Sequence, residues 1–522
     1  MDLAKELILA VKRNNSHGGY GLQKECEALI GHVLNNMAKS KIPNLTADVK
    51  NNQIATRFRE EGNQCFVTGD DEEAIEKYTQ SLAFAENKES MALAFANRSA
   101  ALYRKQLYGE CLIDIDAAVI HGYPENKKKK LKERAQKAME GLRQQFQAKD
   151  QNMNDLPSPS VKKDKWYTHC HHCLARSYNL IPCSKCPIAQ YCSTKCKSLD
   201  WEMAHQIECS VNPVFSKLLS LDEDKIRMLT KIIRMLIICT KKGTKVEELR
   251  KDCQVAEKNQ DNRTAGFTDN GTFDSKSARS ALSLATNLTT RPFIDISAFA
   301  CIAALAVVIL AMETPFFGKK YRPKELKDIA ERADVRFCGT MIFRNCVIVS
   351  SNSFSVQQEP GVKTGSGLYN AHSLMNHSCA PNTFRHFNGM TMITRALEPI
   401  NEGDQIFTCY GGGYQYMARS ERRSKMMQEY YFSCDCIACV DDWPTYSEIL
   451  KNHIGSITKT KKELVEKLKP YRQRLMFDKY DIDAVKNVLD ILYAEVKMPC
   501  EEIVHAIQYL KSYYLGKFNQ QS

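Results

Sequence analysis

The sequence shows no segment near its start that resembles a secretory signal. Residues 1–15, MDLAKELILAVKRNN, are too short and too polar for one, and their leucines and valine fall at the spacing of an amphipathic helix. Without an export signal the chain is expected in a reducing compartment, where cysteines are kept as thiols. We therefore expect a cytoplasmic and nuclear protein.

Long uncharged runs are also scarce, which argues against a membrane protein. One run, residues 296–312 (ISAFACIAALAVVILAM), has no charged residue and is bounded closely by Asp295 and Glu313. A membrane span needs about 20 apolar residues, and this run is shorter and rich in alanine. It predicts a buried core helix, with a membrane span as the alternative.

No stripe of basic residues with interleaved aromatics is present, although the net charge is +12. The basic residues are dispersed, so the charge permits an acidic partner without predicting nucleic-acid binding. Apolar residues make up 43% and charged residues 26%, as in ordinary globular proteins. A chain of 522 residues is too long for one core and predicts two to four domains.

Helical repeats occupy residues 51–145. Helix pairs begin near Arg59 and near Ala96, and a further first helix follows at about 127–141. The period of about 34 residues is that of tetratricopeptide repeats, and an unrelated array of helical hairpins is the alternative. Residues 1–50 are also predicted to be helical.

The rest of the chain predicts an α+β multidomain protein in which helical regions flank a β-rich part. We predict strands at Arg336–Cys338, Thr340–Phe343, Cys346–Ser350 and Met390–Thr394. The predicted segments are a linker at 146–169, a cysteine-rich module at 170–209, a helical region at 210–335 with a mobile loop at 241–282, a mostly β segment at 336–415, a second cysteine-rich segment at 416–442 and a helical end at 443–522.

Metal ligands are predicted where the cysteines cluster. Eleven of the 21 cysteines fall in two patches, and the first patch orders four ligand pairs within 40 residues. Zinc binds four such donors in a tetrahedron, and the alternation suggests a cross-brace in which pairs one and three share one ion and pairs two and four share another. The predicted sets are Cys170, Cys173, Cys192 and Cys196, and Cys183, Cys186, His205 and Cys209.

This module resembles the MYND zinc finger. The match rests on Gln190-Tyr191-Cys192, Cys196, Trp201 and His205-x3-Cys209. The resemblance implies binding of proteins, often of proline-rich peptides. His171 and His172 are expected at the surface, although either is able to replace a predicted ligand.

Three further segments resemble the SET domain of protein lysine methyltransferases. They are Asn376-His377-Ser378-Cys379-Ala-Pro381-Asn382, then Gly403 to Gly411, and then Tyr430 to Cys439. With the finger and the repeats, they make the chain similar to the SET-and-MYND family, in its protein-4-like branch. The resemblance covers about residues 51–440.

The resemblance implies S-adenosylmethionine as cofactor and protein lysines as substrates. Tyr410 matches the tyrosine at the transfer point, Tyr430 the lining of the lysine channel, and Phe432 an aromatic on the adenine side. Asn352, Asn376 and His377 match residues that contact the cofactor. Cys434, Cys436 and Cys439 would hold a third zinc ion with Cys379. Cys409, beside Tyr410, is expected to be a buried strand thiol rather than a nucleophile.

The sequence departs from the family before the finger. Relatives carry a Gly-rich cofactor loop and the opening SET strands there, whereas residues 146–169 contain no glycine and no strand-like run. The nearest glycine cluster, Gly18 to Gly21, precedes the repeats. We expect weakened cofactor binding, and the alternative to an enzyme is a non-catalytic zinc-binding adaptor.

A second binding site is expected on the repeats. Arg59 and Asn63 lie four residues apart on one helix, as do Lys130 and Arg134, and Asn97 lies between them. These five positions match the clamp with which chaperone-binding tetratricopeptide domains hold the acidic C-terminus of Hsp70 and Hsp90. A solvated basic face is the alternative. We expect the chain to be monomeric.

Overall fold

The computed structural model describes residues 22–39, 46–145, 160–218, 223–259, 264–275, 277–359, 362–458, 461–477 and 481–519. The predicted helix at 1–15, the glycines at 18–21 and most of the predicted linker lie outside these residues. The chain divides into two compact units, which are described separately. The first comprises Met1–Ser283, Pro292–Val356 and Lys363–Leu368, and the second Leu284–Arg291, Gln357–Val362 and Tyr369–Ser522.

The first unit opens with six helices. They are α1 Leu22–Lys39, α2 Asn52–Thr68, α3 Asp71–Phe84, α4 Lys88–Arg104, α5 Tyr108–Ile120 and α6 Lys128–Gln145. Asn51, Asp70 and Asn87 cap the starts of α2, α3 and α4 with their side chains, which explains where these helices begin. A Cβ atom at Gly62 would lie 2.7 Å from the ring of Tyr78, so α2 and α3 pack this closely only because residue 62 is glycine.

The remaining helices of the first unit surround a buried apolar core. They are α7 Thr194–Asp200, α8 Gln206–Leu218, α9 Glu223–Cys239, α10 Val246–Lys258, α11 Ala278–Leu282, α12 Phe293–Glu313, α13 Leu326–Glu331 and α14 Ala333–Asn352. Helix α12 contains the apolar run and packs on α14 and α1. By length and composition alone α12 is able to cross a membrane, but half of its most apolar window is buried inside the protein.

The strands predicted between residues 336 and 350 are wrong, because this segment is the single helix α14. Its residues from Phe337 to Val349 are buried on every side. A segment that is buried on every side shows neither the helical nor the strand spacing of apolar residues. Its Val and Ile residues, which are common in strands, therefore led to the wrong prediction.

The predicted mobile loop at 241–282 is also wrong over much of its length. Residues Val246–Lys258 form α10, which buries Val246, Leu249 and Cys253 on one face, whereas its charged residues are exposed or half-buried. Residues Ala278–Leu282 form α11, capped by the side chain of Ser277. The high charge of this region is that of an amphipathic helix rather than of a loop.

Short strands lie wholly or largely in the first unit. Strand β1, Ser160–Val161, pairs antiparallel with β5, Val362–Leu368, in a sheet of order β1–β5–β4, where β4 is Ser353–Glu359. Within the predicted linker, therefore, residues 160–161 form a strand. Strands β2, Ile181–Pro182, and β3, Gln190–Tyr191, form a two-stranded ribbon in the cysteine-rich module.

The second unit combines short strands with a helical end. Its strands are β6 Asn376–His377, β7 Thr383–Asn388, β8 Thr391–Ala396 and β9 Phe407–Thr408, and its helices are α15 Asn370–Ser373, α16 Arg419–Tyr430, α17 Ile437–Val440, α18 Tyr446–Asn452, α19 Lys462–Phe477, α20 Ile482–Glu495 and α21 Glu501–Asn519. Leucine, isoleucine and valine residues of α19, α20 and α21 form one apolar core. Helical regions thus lie at both ends of the described chain, as predicted.

Candidate metal centres and methyl-transfer site

The structure groups the ligands of the cysteine-rich module in the predicted alternating order. Cys170, Cys173, Cys192 and Cys196 form one cluster, and Cys183, Cys186, His205 and Cys209 form the other. Ribbon β2–β3 and helix α7 place the ligands, and Ser193 caps α7 so that Cys196 lies in its first turn. A π-helical turn, Trp201–His205, then brings His205 to the second cluster.

Zinc fits these clusters by its size. The Sγ atoms of Cys173 and Cys192 are 3.6 Å apart, and those of Cys183 and Cys209 are 3.8 Å apart. A tetrahedron with metal–sulfur bonds of about 2.3 Å has edges of about 3.8 Å, whereas a disulfide bond measures about 2.0 Å. All 21 cysteines are free thiols in this structure. The spacing is therefore that of ligands around an ion.

The same spacing occurs in the second unit. Cys379, Cys434, Cys436 and Cys439 form a third cluster, in which the Sγ atom of Cys379 lies 3.9 Å from that of Cys434 and 3.5 Å from that of Cys439. The backbone N–H of Cys379 donates to the Sγ atom of Cys436. The fully buried Arg422 donates to the Ala438 carbonyl at 2.8 Å, which brings a cation to this thiolate cluster.

The segment that contains Cys379 crosses the chain near residue 408. Strand β6 pairs in parallel with β9, which places His377 opposite Thr408. Asn382 fixes the crossing, since its Oδ1 accepts from the N–H of Phe407 at 2.7 Å and its Nδ2 donates to the carbonyl of Gln405 at 2.9 Å. The residues on either side of the crossing, Cys379 and Tyr410, are thereby held together.

Four aromatic rings gather at this crossing. The ring centroids of Tyr410 and Tyr430 are 4.8 Å apart, and those of His377 and Tyr410 are 5.2 Å apart. Phe432 packs edge-on against both His377 and Tyr410. The predicted catalytic tyrosines therefore lie side by side.

The two tyrosine hydroxyl groups are fixed by backbone carbonyls. Tyr410 donates to the carbonyl of Met375 at 2.8 Å, and Tyr430 donates to the carbonyl of Tyr410 at 2.9 Å. Burial raises the pKa of Tyr410 and raises that of Tyr430 to about 12. Both phenols are therefore protonated at neutral pH, and each oxygen keeps lone pairs that accept.

The residues predicted to contact the cofactor differ in their surroundings. His377 is buried, its Nδ1 accepts from the N–H of Tyr410 at 3.1 Å, and burial lowers its pKa to about 4. Asn376 is exposed. In the first unit, Asn352 ends α14 and donates from its Nδ2 to the carbonyl of Ile348 at 2.8 Å. His377 is thus part of the aromatic cluster, whereas Asn352 contributes to a helix end.

The clamp residues predicted on the repeats lie on three helices. The Oδ1 of Asn63 accepts from Asn97 at 2.7 Å and from the Tyr78 hydroxyl at 3.0 Å. Arg134 donates to the Ala96 carbonyl at 2.8 Å and to the Ser99 hydroxyl at 2.7 Å, so its guanidinium joins α6 to α4. Lys130 is exposed and Arg59 half-buried. The two asparagines therefore touch each other, and Arg134 already has a packing role.

Sequence reasoning missed a buried histidine in the second unit. The ring of His372 lies between the hydroxyls of Thr394 and Thr408, at 3.0 and 3.2 Å. Burial, with a smaller contribution from Arg385, lowers its pKa to about 4. A single histidine outside any motif gives no signal in the sequence.

This histidine predicts a loss of stability in acid. An unfolded histidine has a pKa of about 6.5, so as the pH falls from there to about 4 the unfolded chain binds a proton that the folded chain excludes. His372→Asn should reduce the loss of unfolding free energy between pH 7 and pH 5 by about 2 kcal/mol. Urea unfolding of the full chain at both pH values measures this. His505→Asn, at an exposed position, is the control, and equal pH dependence of parent and His372→Asn would contradict the prediction.

Comparison with known proteins agrees with this geometry. Residues 119–411, more than half of the chain, match the family model described as "SET domain". This chain belongs to the SET-domain family. Within that family it falls in the SMYD group, on its SMYD4-like branch, as the sequence motifs predicted.

Three similar proteins of the SMYD group are compared with this chain by identity and by the share of each chain that is matched. It is 23% identical to protein-lysine N-methyltransferase SMYD4 of Danio rerio over 513 residues, which cover 77% of this chain and 68% of that protein. It is 24% identical to the Homo sapiens SMYD4 over 535 residues, which cover 73% and 66%. It is 28% identical to histone-lysine N-methyltransferase SMYD3 of Mus musculus over 270 residues, which cover 52% and 51%. The chain thus spans about two thirds of the length of its SMYD4 relatives.

Proposed function

We propose that this chain transfers methyl groups from S-adenosylmethionine to lysine side chains of protein substrates. The crossing of β6 and β9 carries the proposal, because it holds Tyr410 against Tyr430, His377 and Phe432. The SMYD relatives, which are named as lysine methyltransferases, support it. The alternative is a zinc-binding adaptor that has lost catalysis.

The chemistry asks the protein mainly to position two groups. S-adenosylmethionine supplies an electrophilic methyl group when it is bound. The neutral amine of the substrate must approach in line with that carbon, and alignment of this kind lowers a barrier by several kcal/mol. The Tyr410 hydroxyl donates to Met375 and keeps its lone pairs for the polarised methyl hydrogens or for the amine. The rings of Tyr430 and Phe432 supply aromatic walls, which suit a cationic ligand.

Each metal centre would have a structural role. We infer three zinc ions, since each cluster offers four donors and therefore leaves no open position for a substrate. The first two would hold a MYND finger that binds protein partners, including proline-rich peptides. The third would fasten Cys379, and with it the crossing, to the segment that follows Phe432.

Methyl transfer by the full chain tests the proposal. Calorimetry measures S-adenosylmethionine binding, and tritiated S-adenosylmethionine with a library of lysine peptides measures transfer. Labelled peptide would support the enzyme. No binding and no transfer, with all three metal centres loaded, would favour the adaptor, and the sequence gives a reason to expect weak binding because residues 146–169 contain no glycine.

The contact between Asn63 and Asn97 supports a second proposal, that the repeats bind acidic C-terminal peptides of Hsp70 and Hsp90. Asn63 uses its Oδ1 as an acceptor for Asn97 and Tyr78, and these two bonds do not use its Nδ2 hydrogens, which are of the type that binds a carboxylate. Arg59 on α2 and Lys130 on α6 add cations on two helices that each contact α4, and two cations with amide donors suit a terminal carboxylate.

Binding of a peptide that ends in EEVD tests this clamp. Lys130→Ala with Arg134→Ala is expected to abolish binding, and Lys130→Ala alone to weaken it about 10-fold or more, the value of a charged hydrogen bond. The single variant matters because Arg134 also joins two helices. Lys132→Ala, an exposed position on the same helix, is the matched control. Unchanged affinity of the Lys130 variant would contradict the clamp.

A further inference from the structure

Three charged side chains are packed behind the second metal cluster. Asp200 and Glu208 are fully buried and Arg234, on α9, is 4% exposed. Arg234 donates to both carboxylate oxygens of Glu208, at 2.9 and 2.5 Å, and its Nη1 lies 2.8 Å from the Oδ1 of Asp200. Asp200 also accepts from the hydroxyl of Tyr191 at 2.8 Å. A bidentate pair of hydrogen bonds from one guanidinium fixes the carboxylate of Glu208 in one orientation.

The fixed carboxylate faces a predicted metal ligand. The Oε2 of Glu208 lies 4.0 Å from the Nδ1 of His205. The other nitrogen of that ring, Nε2, lies 3.4 Å from the Sγ of Cys183 and 3.6 Å from that of Cys186. The imidazole therefore turns Nε2 to the metal position and Nδ1 to Glu208. At 4.0 Å this is an electrostatic contact rather than a hydrogen bond, and a carboxylate charge beside the outer nitrogen of a metal-bound histidine strengthens the ring as a ligand.

Charge balance explains why Arg234, a cation from the distant helix α9, is buried beside Asp200 and Glu208. Zinc with three thiolates and a neutral imidazole carries one negative charge, to which Asp200 and Glu208 add two. Arg234 compensates one of these. Lys197 lies close to the second cluster, since its ammonium donates at 2.9 Å to the carbonyl of Pro182, the residue before Cys183. Buried charges are costly unless they are paired, so Arg234 and Lys197 reduce the cost of burying this negative charge.

We propose that Glu208 and Arg234 are positioning residues of the second metal centre. Glu208 orients His205 for the metal, and Arg234 holds Glu208 and compensates its charge. Since Arg234 belongs to α9, metal binding in the finger is coupled to the packing of α9 against the finger. This inference rests on the proposed zinc assignment. His172, which was expected at the surface, is buried beside the same charged group, with its Nδ1 3.5 Å from the Oδ1 of Asp200.

Cobalt substitution of the full chain tests the inference, because the second centre alone among the three clusters has a nitrogen ligand. Cobalt bound by three sulfurs and one nitrogen absorbs at different wavelengths from cobalt bound by four sulfurs. Titration with a competing chelator then gives separate affinities. Glu208→Gln and Arg234→Met are each expected to weaken metal binding at the second centre by about 10- to 100-fold, with little change at the other two. Arg234→Lys should recover part of the loss.

Arg344→Met is the matched control. Arg344, on α14, is 3% exposed, and its Nη1 donates to Glu257 at 2.7 Å and to Gln23 at 2.8 Å, neither of which is a metal ligand. This variant should lose stability and keep its affinity at the second centre. Unchanged affinity in Glu208→Gln, or an equal loss in Arg344→Met, would overturn the inference. If the parent chain took up no metal at any centre, the zinc assignment itself would be wrong. That result is seen in the parent alone, whereas failure of the present inference is seen only in the variants.

Discussion

Tyr410→Phe is expected to lower methyl transfer by about 10²- to 10³-fold, the usual effect of removing one positioned polar group from a reaction site. The hydroxyl of Tyr410 is held by the carbonyl of Met375, so its oxygen has a fixed direction that phenylalanine cannot reproduce. The ring contacts with Tyr430 and His377 do not involve the hydroxyl and should remain. The loss should therefore appear in kcat more than in KM for the peptide.

Measurements of stability and of zinc content distinguish a loss of catalysis from a loss of structure in Tyr410→Phe. Loss of the hydrogen bond to Met375 costs about 1 kcal/mol of stability, which leaves the protein folded. Zinc content should stay unchanged. Tyr416→Phe is the matched control, since Tyr416 lies six residues later, is 84% exposed and should show the parent activity. Equal activity of parent and Tyr410→Phe would contradict the proposed role of this tyrosine.

The metal clusters were predictable because their signal is local. Two cysteines separated by two residues reach one ion whatever the surrounding fold, and alternation of such pairs predicts a cross-brace. The structure gathers the twelve predicted ligands into three clusters without exchange of any residue. Cys379 was assigned to the third cluster only by family resemblance, since it lies 55 residues before Cys434.

The errors arose where packing rather than local pattern decides structure. Helix α14 is buried on all sides, so neither period is visible in its sequence. His172 was expected at the surface, but it is buried, with its Nδ1 3.5 Å from the Oδ1 of Asp200 at the end of α7. The buried pair of Glu208 and Arg234 was missed for the same reason, as 26 residues separate its members.

Cys379→Ala is expected to have the largest effect on the fold of the second unit. The variant should hold two zinc ions in place of three. Structural zinc contributes about 10–16 kcal/mol in small finger peptides, which exceeds the stability of most domains. The apolar cluster around the centre, which includes Tyr414, Trp443 and Ile449, depends on the segment that Cys379 fastens. Metal analysis and thermal unfolding of the full chain measure the two effects.

Cys409→Ala provides the control, because Cys409 is a half-buried thiol beside Tyr410 that belongs to none of the clusters. This variant should keep three zinc ions and unfold near the parent temperature. The structure modifies the prediction of a buried strand thiol, because Cys409 is half-buried and directly follows β9. The variant also tests whether Cys409 is a catalytic nucleophile, since replacement of a nucleophile would abolish activity. If Cys379→Ala kept three ions, the ligand set would be wrong. If it lost one ion but kept the fold and the methyl-transfer rate, the third centre would have no part in holding Tyr410, because the crossing of β6 and β9 would then be stable through its hydrogen bonds alone.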